Sequence, residues 1–143
     1  QSAESKFQKA RLESATIVIG GGRGLDEAGF AHLARIAAAL DGAVAASLPA
    51  VDLGLAPVSR QIGQSGKFVA PTIYFAAGMS GTPQHFAGVS TTSRVLAVNK
   101  DPDAAIFNFA EAGAVADARQ LLPLLADALE IKRANAMVPA HVD

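Results

Sequence analysis

The chain has 143 residues, half of them hydrophobic and only 17% charged, which fits one compact domain with an adequate core and excludes wholesale disorder. Twelve basic against thirteen acidic residues leave a net charge of -1, so there is no electrostatic footprint for nucleic acid or an anionic membrane, and neither is expected as a partner. With no cysteine, disulfides, thiolate metal sites and thiol nucleophiles are excluded, and redox chemistry would need a bound cofactor.

Five short apolar runs bounded by glycine or polar residues read as strands: 16–19, 43–46, 72–76, 94–98 and 112–116. Their character is continuous rather than alternating, which predicts strands buried on both faces in a parallel sheet covered by helices. The expected class is α/β, with an open, five-stranded parallel sheet. Between the first two runs Asp26 caps a helix carrying Phe30, Leu33, Ala34, Ala37 and Leu40 at spacings of three and four, and Gly42 ends it. Residues 47–71 hold three glycines and three prolines and read as a long irregular loop, a candidate cover for a ligand. Ser80-Gly81-Thr82-Pro83 reads as the start of a short helix reaching Ala87, with proline tolerated in its first turn. Asp117 caps a last helix carrying Leu121, Leu122, Leu125 and Leu129, which Pro123 is expected to kink or delay.

Residues 1–15 read as an N-terminal extension, 16–133 as the folded domain and 134–143 as a flexible tail. The first residue is Gln, so the chain reads as a processed form or a piece of a longer polypeptide. No apolar run approaches the roughly 18 residues that span a bilayer, and no direct membrane insertion is expected.

Ligands of an open parallel sheet bind beyond the carboxyl ends of its strands, so the residues that follow each run are the candidate site. The first run leads into Gly20-Gly21-Gly22-Arg23-Gly24, the second into Ser47, the third into Gly78-Met79-Ser80-Gly81, the fourth into Asn99 and the fifth into Asp117. The first glycine segment does not match G-x-G-x-x-G, because the last glycine would fall on Leu25 or Glu27. Arg23 either pairs with a phosphate or a ring, or is a solvated arginine on a tight turn. Ser80, Gly81 and Thr82 form either an anion site at a helix start or an ordinary cap. His85 beside them could donate to a ligand oxygen or simply cap or pack, whereas His32 and His141 read as solvated surface residues. There is no metal-ligand spacing of histidines, no paired carboxylates and no nucleophile elbow.

Taken together, Gly20-Gly21-Gly22-Arg23-Gly24-Leu25, Ala50-Val51-Asp52-Leu53-Gly54, Gln61-Ile62-Gly63-Gln64-Ser65-Gly66-Lys67, Gly78-Met79-Ser80-Gly81 with Gln84-His85, and Asn99-Lys100-Asp101-Pro102 stand in family order and spacing. In these segments the chain resembles the C-terminal, FAD-binding domain of the electron transfer flavoprotein alpha subunit, over residues 16–129. The resemblance implies a Rossmann-like domain holding FAD in an extended pose over the strand ends. It implies that Arg23, Ser47, Ile62, Gly63, Gln64 and Ser65 lie near the flavin, with Ser65 replacing the usual Thr. It further implies that Ser80, Gly81, Thr82, Pro83, Gln84 and His85 wrap the cofactor, His85 facing the pyrimidine oxygen side, and that Asn99, Asp117 and Ala118 hold the adenosine half. The chain departs from the family at Leu48, where an arginine usually follows the serine, at Thr82-Pro83 for Ala-Ile, and at Glu111-Ala112 for Asp-Tyr. The N-terminal domain that the family carries ahead of this region reads as absent.

The function so implied is an FAD-binding electron carrier rather than an enzyme acting on a substrate. Its implied partners are an electron transfer flavoprotein beta-type subunit, a dehydrogenase donor and a membrane-associated quinone reductase acceptor. Its implied place is the bacterial cytoplasm or the mitochondrial matrix. The alternative is a nucleotide-binding module that has lost flavin redox function, which the loss of the cation at Leu48 favours.

Overall fold

A computed structural model describes residues 11–137 of the chain. Its centre is β1 (Ile17–Gly21), a run of β-branched residues that ends in two glycines and pairs in parallel on both sides. One neighbour is β2 (Ala43–Ala46) and the other is β3 (Ile73–Ala77). Beyond β3 come β4 (Arg94–Asn99) and β5 (Ala112–Val115), giving one parallel sheet of order β2-β1-β3-β4-β5. All five expected strands are present, so the α/β class holds. The order reverses at β1, and the crevice between β1 and β3 is therefore the switch point where such sheets admit ligands.

The helices are α1 (Glu27–Leu40), α2 (Leu48–Asp52), α3 (Pro83–Phe86), α4 (Ile106–Phe109) and α5 (Ala118–Ala136). Asp26 caps α1 as expected, its Oδ1 accepting from the Gly29 N–H at 2.8 Å. The helix closes on Asp41, which takes the left-handed conformation one residue before the glycine expected to end it. On one face of the sheet, Phe30, Leu33 and Ile36 of α1 and Leu122 and Ala126 of α5 pack with Ile19, Val44, Ala77 and Val98. On the other, Val18, Ala45, Tyr74, Ala76 and Ala97 are covered by Ile62, Val69, Met79, Val89 and Ile106. The second face is thus roofed by irregular chain and two single-turn helices rather than by long helices.

Four expectations are corrected. First, β1 runs through Gly20 and Gly21 instead of stopping at Ile19, because both glycines still pair with β2 and β3. Second, β5 is exposed at every residue, not buried on both faces, since it is the sheet edge and lies beyond the cover of α5. Third, Pro123 does not delay α5, which starts at Ala118 on the Asp117 cap and runs through it. Fourth, residues 134–136 of the expected tail belong to α5, while 138–143, with His141, and 1–10 of the expected extension lie outside the described residues.

The segment 47–71 is also more ordered than its composition suggests. Ser47 caps α2 by accepting from the Ala50 N–H at 3.3 Å, and Pro49 sits in the first turn, where it costs no hydrogen bond. A 3-10 turn follows at Val58–Arg60, and the Ile62 N–H then bonds the Ala46 carbonyl at 3.1 Å, tying the segment to the end of β2.

Candidate functional site

Parallel pairing brings the carboxyl ends of β1, β2, β3 and β4 to one edge, so their following loops meet whatever their distance in sequence. The two glycine segments meet most closely. The Gly24 N–H donates to the Gly78 carbonyl at 2.9 Å, and a Cβ on Gly22 or Gly24 would run into that same carbonyl. Gly81 has φ +86° and packs against the backbone of Ile106, so a side chain there would meet both a conformational and a steric barrier.

A first cavity of about 280 Å³ opens between the start of α2 and the 61–65 turn. Ser47, Ile62, Gly63, Gln64 and Ser65 line it, and Thr82, Gln84 and His85 close it from the other side. A second cavity, of about 260 Å³, adjoins the β1–β3 switch point and is lined by Arg23, Ser47, Met79, Ser80, Gly81, Thr82 and His85. Ser47, Pro49, Thr82 and His85 belong to both. A third, of about 60 Å³, lies at the start of α5 between Gly24, Gly78, Asn99, Lys100, Asp117 and Ala118. Of the candidate residues only Pro83 lines none of these cavities; it is the exposed first residue of α3.

Local chemistry explains how each side chain is held. The Thr82 hydroxyl accepts from the His85 N–H at 3.3 Å and starts α3, while the Gln64 N–H donates to the Gln84 carbonyl at 3.0 Å and ties the 61–65 turn to that helix. Arg23 is exposed and makes no ion pair among the described residues. Asn99 is already committed: its Nδ2 donates to the Met79 carbonyl at 3.0 Å and its Oδ1 accepts from the Asp101 N–H at 2.9 Å, bracing the β4 loop against the β3 loop. Asp117 caps α5 at 3.0 Å from the Arg119 N–H, and that bond, with the Arg119 guanidinium and Lys100 adding to it, holds its carboxyl below the usual range.

His85 is buried at the site, 5% exposed, as are Ser47 and Gln61. Its Nε2 lies 2.5 Å from the Tyr74 hydroxyl, and its Nδ1 is buried with no hydrogen-bond partner. Burial pushes the imidazole down to about 4, against a smaller upward pull from the Ile62 backbone. Tyr74 is fully buried, and desolvation raises its phenol well above the ordinary value. His32 departs from the solvated residue expected of it: it is half-buried, and its Nδ1 lies 2.9 Å from the Arg35 guanidinium.

Sequence reasoning singled out Leu48 but gave no site role to Tyr74, Pro49, Gln61, Met79 and Lys100. Tyr74 sits inside an apolar strand, where nothing in the pattern separates a core tyrosine from one that reaches the site. Pro49 was visible two residues after Ser47, but only the tertiary arrangement turns it to the first and second cavities. The assembled site offers hydroxyls, backbone N–H groups, a neutral imidazole and the Arg23 guanidinium, a donor set suited to a polar, anionic ligand. Among the described residues no group of His, Asp and Glu has the arrangement of a metal site, and no helix is long and apolar enough to cross a membrane.

Comparison with known proteins agrees with the sequence resemblance. The family model described as the electron transfer flavoprotein FAD-binding domain matches residues 11–90, more than half of the chain. The mitochondrial electron transfer flavoprotein subunit alpha of Dictyostelium discoideum is 42% identical over 130 residues, which is 90% of this chain and 37% of that protein. The subunit alpha of Thermoanaerobacterium thermosaccharolyticum is 44% identical over 123 residues, 85% of this chain and 37% of that protein. A probable mitochondrial subunit alpha of Caenorhabditis elegans is 44% identical over 126 residues, covering 87% and 38%. The chain thus spans little more than a third of the length of these relatives.

Proposed function

We propose, from the premise that this chain belongs to the electron transfer flavoprotein FAD-binding domain family, that it binds one FAD across the strand ends and serves as an electron carrier. The observation that carries this reading is the row of three cavities along the carboxyl edge, the first two sharing a wall in which buried His85 keeps an unpartnered nitrogen. An orphaned buried donor beside a cavity fits a ligand that brings an acceptor.

In this reading the first cavity takes the ring, with Ser47, Ile62, Gly63, Gln64 and Ser65 around it and His85 donating to it. Ser80, Gly81 and Thr82, with Pro83 and Gln84 behind them, take the middle of the cofactor, where Arg23 supplies the positive charge. Asn99, Asp117 and Ala118 border the adenosine half, Asn99 mainly as the brace that shapes its loop. Residues 16–133 form the FAD-binding unit. FAD, when bound, supplies the redox chemistry, and the protein sets its potential and exposure without acting on a substrate. Its partners are a beta-type subunit, a dehydrogenase donor and a membrane-associated quinone reductase acceptor, in the cytoplasm of a bacterium or the matrix of a mitochondrion.

Titration of the chain with FAD, followed by flavin fluorescence quenching and calorimetry, tests the reading. One site per chain is expected. Arg23→Ala is expected to weaken binding by about 1.5 to 3 kcal/mol, the range for a hydrogen bond to a charged group. No binding up to millimolar FAD would sink the proposal, and binding of adenine nucleotides without FAD would support the module that has lost redox function.

A further inference from the structure

The phenol of Tyr74 crosses the sheet face directly over Gly20 of β1. A Cβ at Gly20 would collide with the Tyr74 hydroxyl and come within 3.1 Å of the Met79 methyl. The glycine is therefore the space that lets the hydroxyl reach upward, out of the core layer and toward α3. There it meets His85 Nε2 at 2.5 Å, its only hydrogen-bond partner among the described residues. Phe86 packs edge-on against both rings, at 84° to Tyr74 and 75° to His85.

Two proton arrangements satisfy that bond. If Nε2–H donates to the phenol oxygen, the Tyr74 O–H is left as a buried donor without an acceptor, and Nδ1 as a bare lone pair. If instead the phenol donates to Nε2, the hydroxyl proton is satisfied and the ring's own proton moves to Nδ1. Each arrangement leaves one buried donor without a partner in the chain, the Tyr74 O–H in the first and Nδ1–H in the second; a phenol is the better donor and an imidazole nitrogen the better acceptor, so the second arrangement prevails. Turning the ring over would set a carbon against the phenol, so Tyr74 selects the ring orientation as well as the tautomer.

We propose that Tyr74 is a positioning residue for the cofactor site: its hydroxyl donates to His85 Nε2, holds the imidazole as the neutral Nδ1–H tautomer, and so makes Nδ1–H the donor offered to an acceptor atom of the bound cofactor. The second half of this statement rests on the FAD-binding reading above, whereas the first concerns the protein alone. Gly20, Tyr74 and His85 form a relay of shape from β1 through β3 to α3, and the imidazole at the site is set from inside the core.

The test is long-range 1H–15N spectroscopy of the chain labelled with 15N-histidine, with and without FAD, assigning His85 by the signal lost in His85→Gln. A protonated Nδ1 and an unprotonated Nε2 are expected in the wild type. Tyr74→Phe is expected to give an averaged mixture of tautomers and roughly a tenfold larger FAD dissociation constant, the loss that goes with one misdirected hydrogen bond. Tyr74 is the chain's one tyrosine, so growth on 3-fluorotyrosine alters this hydroxyl alone. The stronger donor is expected to shift the Nε2 resonance further while the packing stays intact, which keeps the claim testable if Tyr74→Phe does not fold. An Nε2–H tautomer in the wild type, a tautomer unchanged by Tyr74→Phe, or an Nε2 resonance indifferent to fluorination overturns the proposal. Unchanged FAD affinity in a variant whose tautomer is scrambled overturns its second half. A wild-type chain that takes up no FAD defeats the functional reading, and the two sets of spectra then decide the tautomer on their own.

Discussion

His85 is neutral at pH 7 because burial holds its imidazole at about 4, below the ordinary 6.5. Between those values the unfolded chain takes up a proton that the folded chain refuses, so stability falls as pH drops from about 6.5 to about 4 and then levels. The full loss is on the order of 3 kcal/mol, because each tenfold difference in proton affinity between the folded and unfolded chain is worth about 1.4 kcal/mol. Urea unfolding at pH 7 and pH 4.5 is expected to show this slope in the wild type and to lose much of it in His85→Gln; equal slopes would mean that the ring is not buried in solution. Leu48, also at the first cavity, is 47% exposed, so a charge placed there is partly screened. Leu48→Arg is accordingly expected to raise the midpoint potential of bound FAD by only on the order of 10 to 30 mV. Spectroelectrochemical titration of both proteins checks it, and an unchanged potential would turn residue 48 away from the flavin.

At the scale of elements, α1 and α5 lie side by side on one face of the sheet, and their contact holds the third cavity's wall in place through the start of α5. Leu122 is fully buried there. Leu122→Ala is expected to cost about 2 to 5 kcal/mol, the transfer term plus the cavity left behind, measured as a shift of the urea midpoint with its slope unchanged. A loss well under 1 kcal/mol would contradict the packing of α5. On the outer side, Arg35 of α1 grips both Glu130 carboxylate oxygens, at 3.0 and 2.7 Å, and Asp127 at 2.5 Å. The helices themselves were legible in the sequence, because their apolar spacing and the Asp26 and Asp117 caps are local signals. Pro123 misled for a local reason too. One missing N–H on a helix of 19 residues is outweighed by the buried face on either side of it. The turn at 48–52 was illegible because Pro49 and the glycine that follows at Gly54 mimic a loop, and only the serine cap reveals the helix.

Across the whole molecule, ligand and fold are linked: a group that binds the folded chain alone raises its stability by mass action. Free FAD at 100 times its dissociation constant is expected to add about 2.7 kcal/mol and to raise the melting temperature by roughly 5 to 10 °C. A thermal scan with and without FAD would show it, and an equal shift from ADP would assign the binding to the adenosine half. The sequence by itself determined the α/β class, the five strands and the polar residue that ends each one, because hydrophobic runs, caps and glycine breaks act within a few residues of chain. It also carried the family resemblance, a property of ordered motifs. Tertiary structure alone decided that β5 is an exposed edge, that the 61–65 turn faces α3 across a cavity, and that Tyr74 reaches His85 over Gly20. Those facts depend on strand order and on which side chains meet between layers, and two residues brought together by sheet pairing and face-to-face packing leave no periodic mark along the chain that joins them.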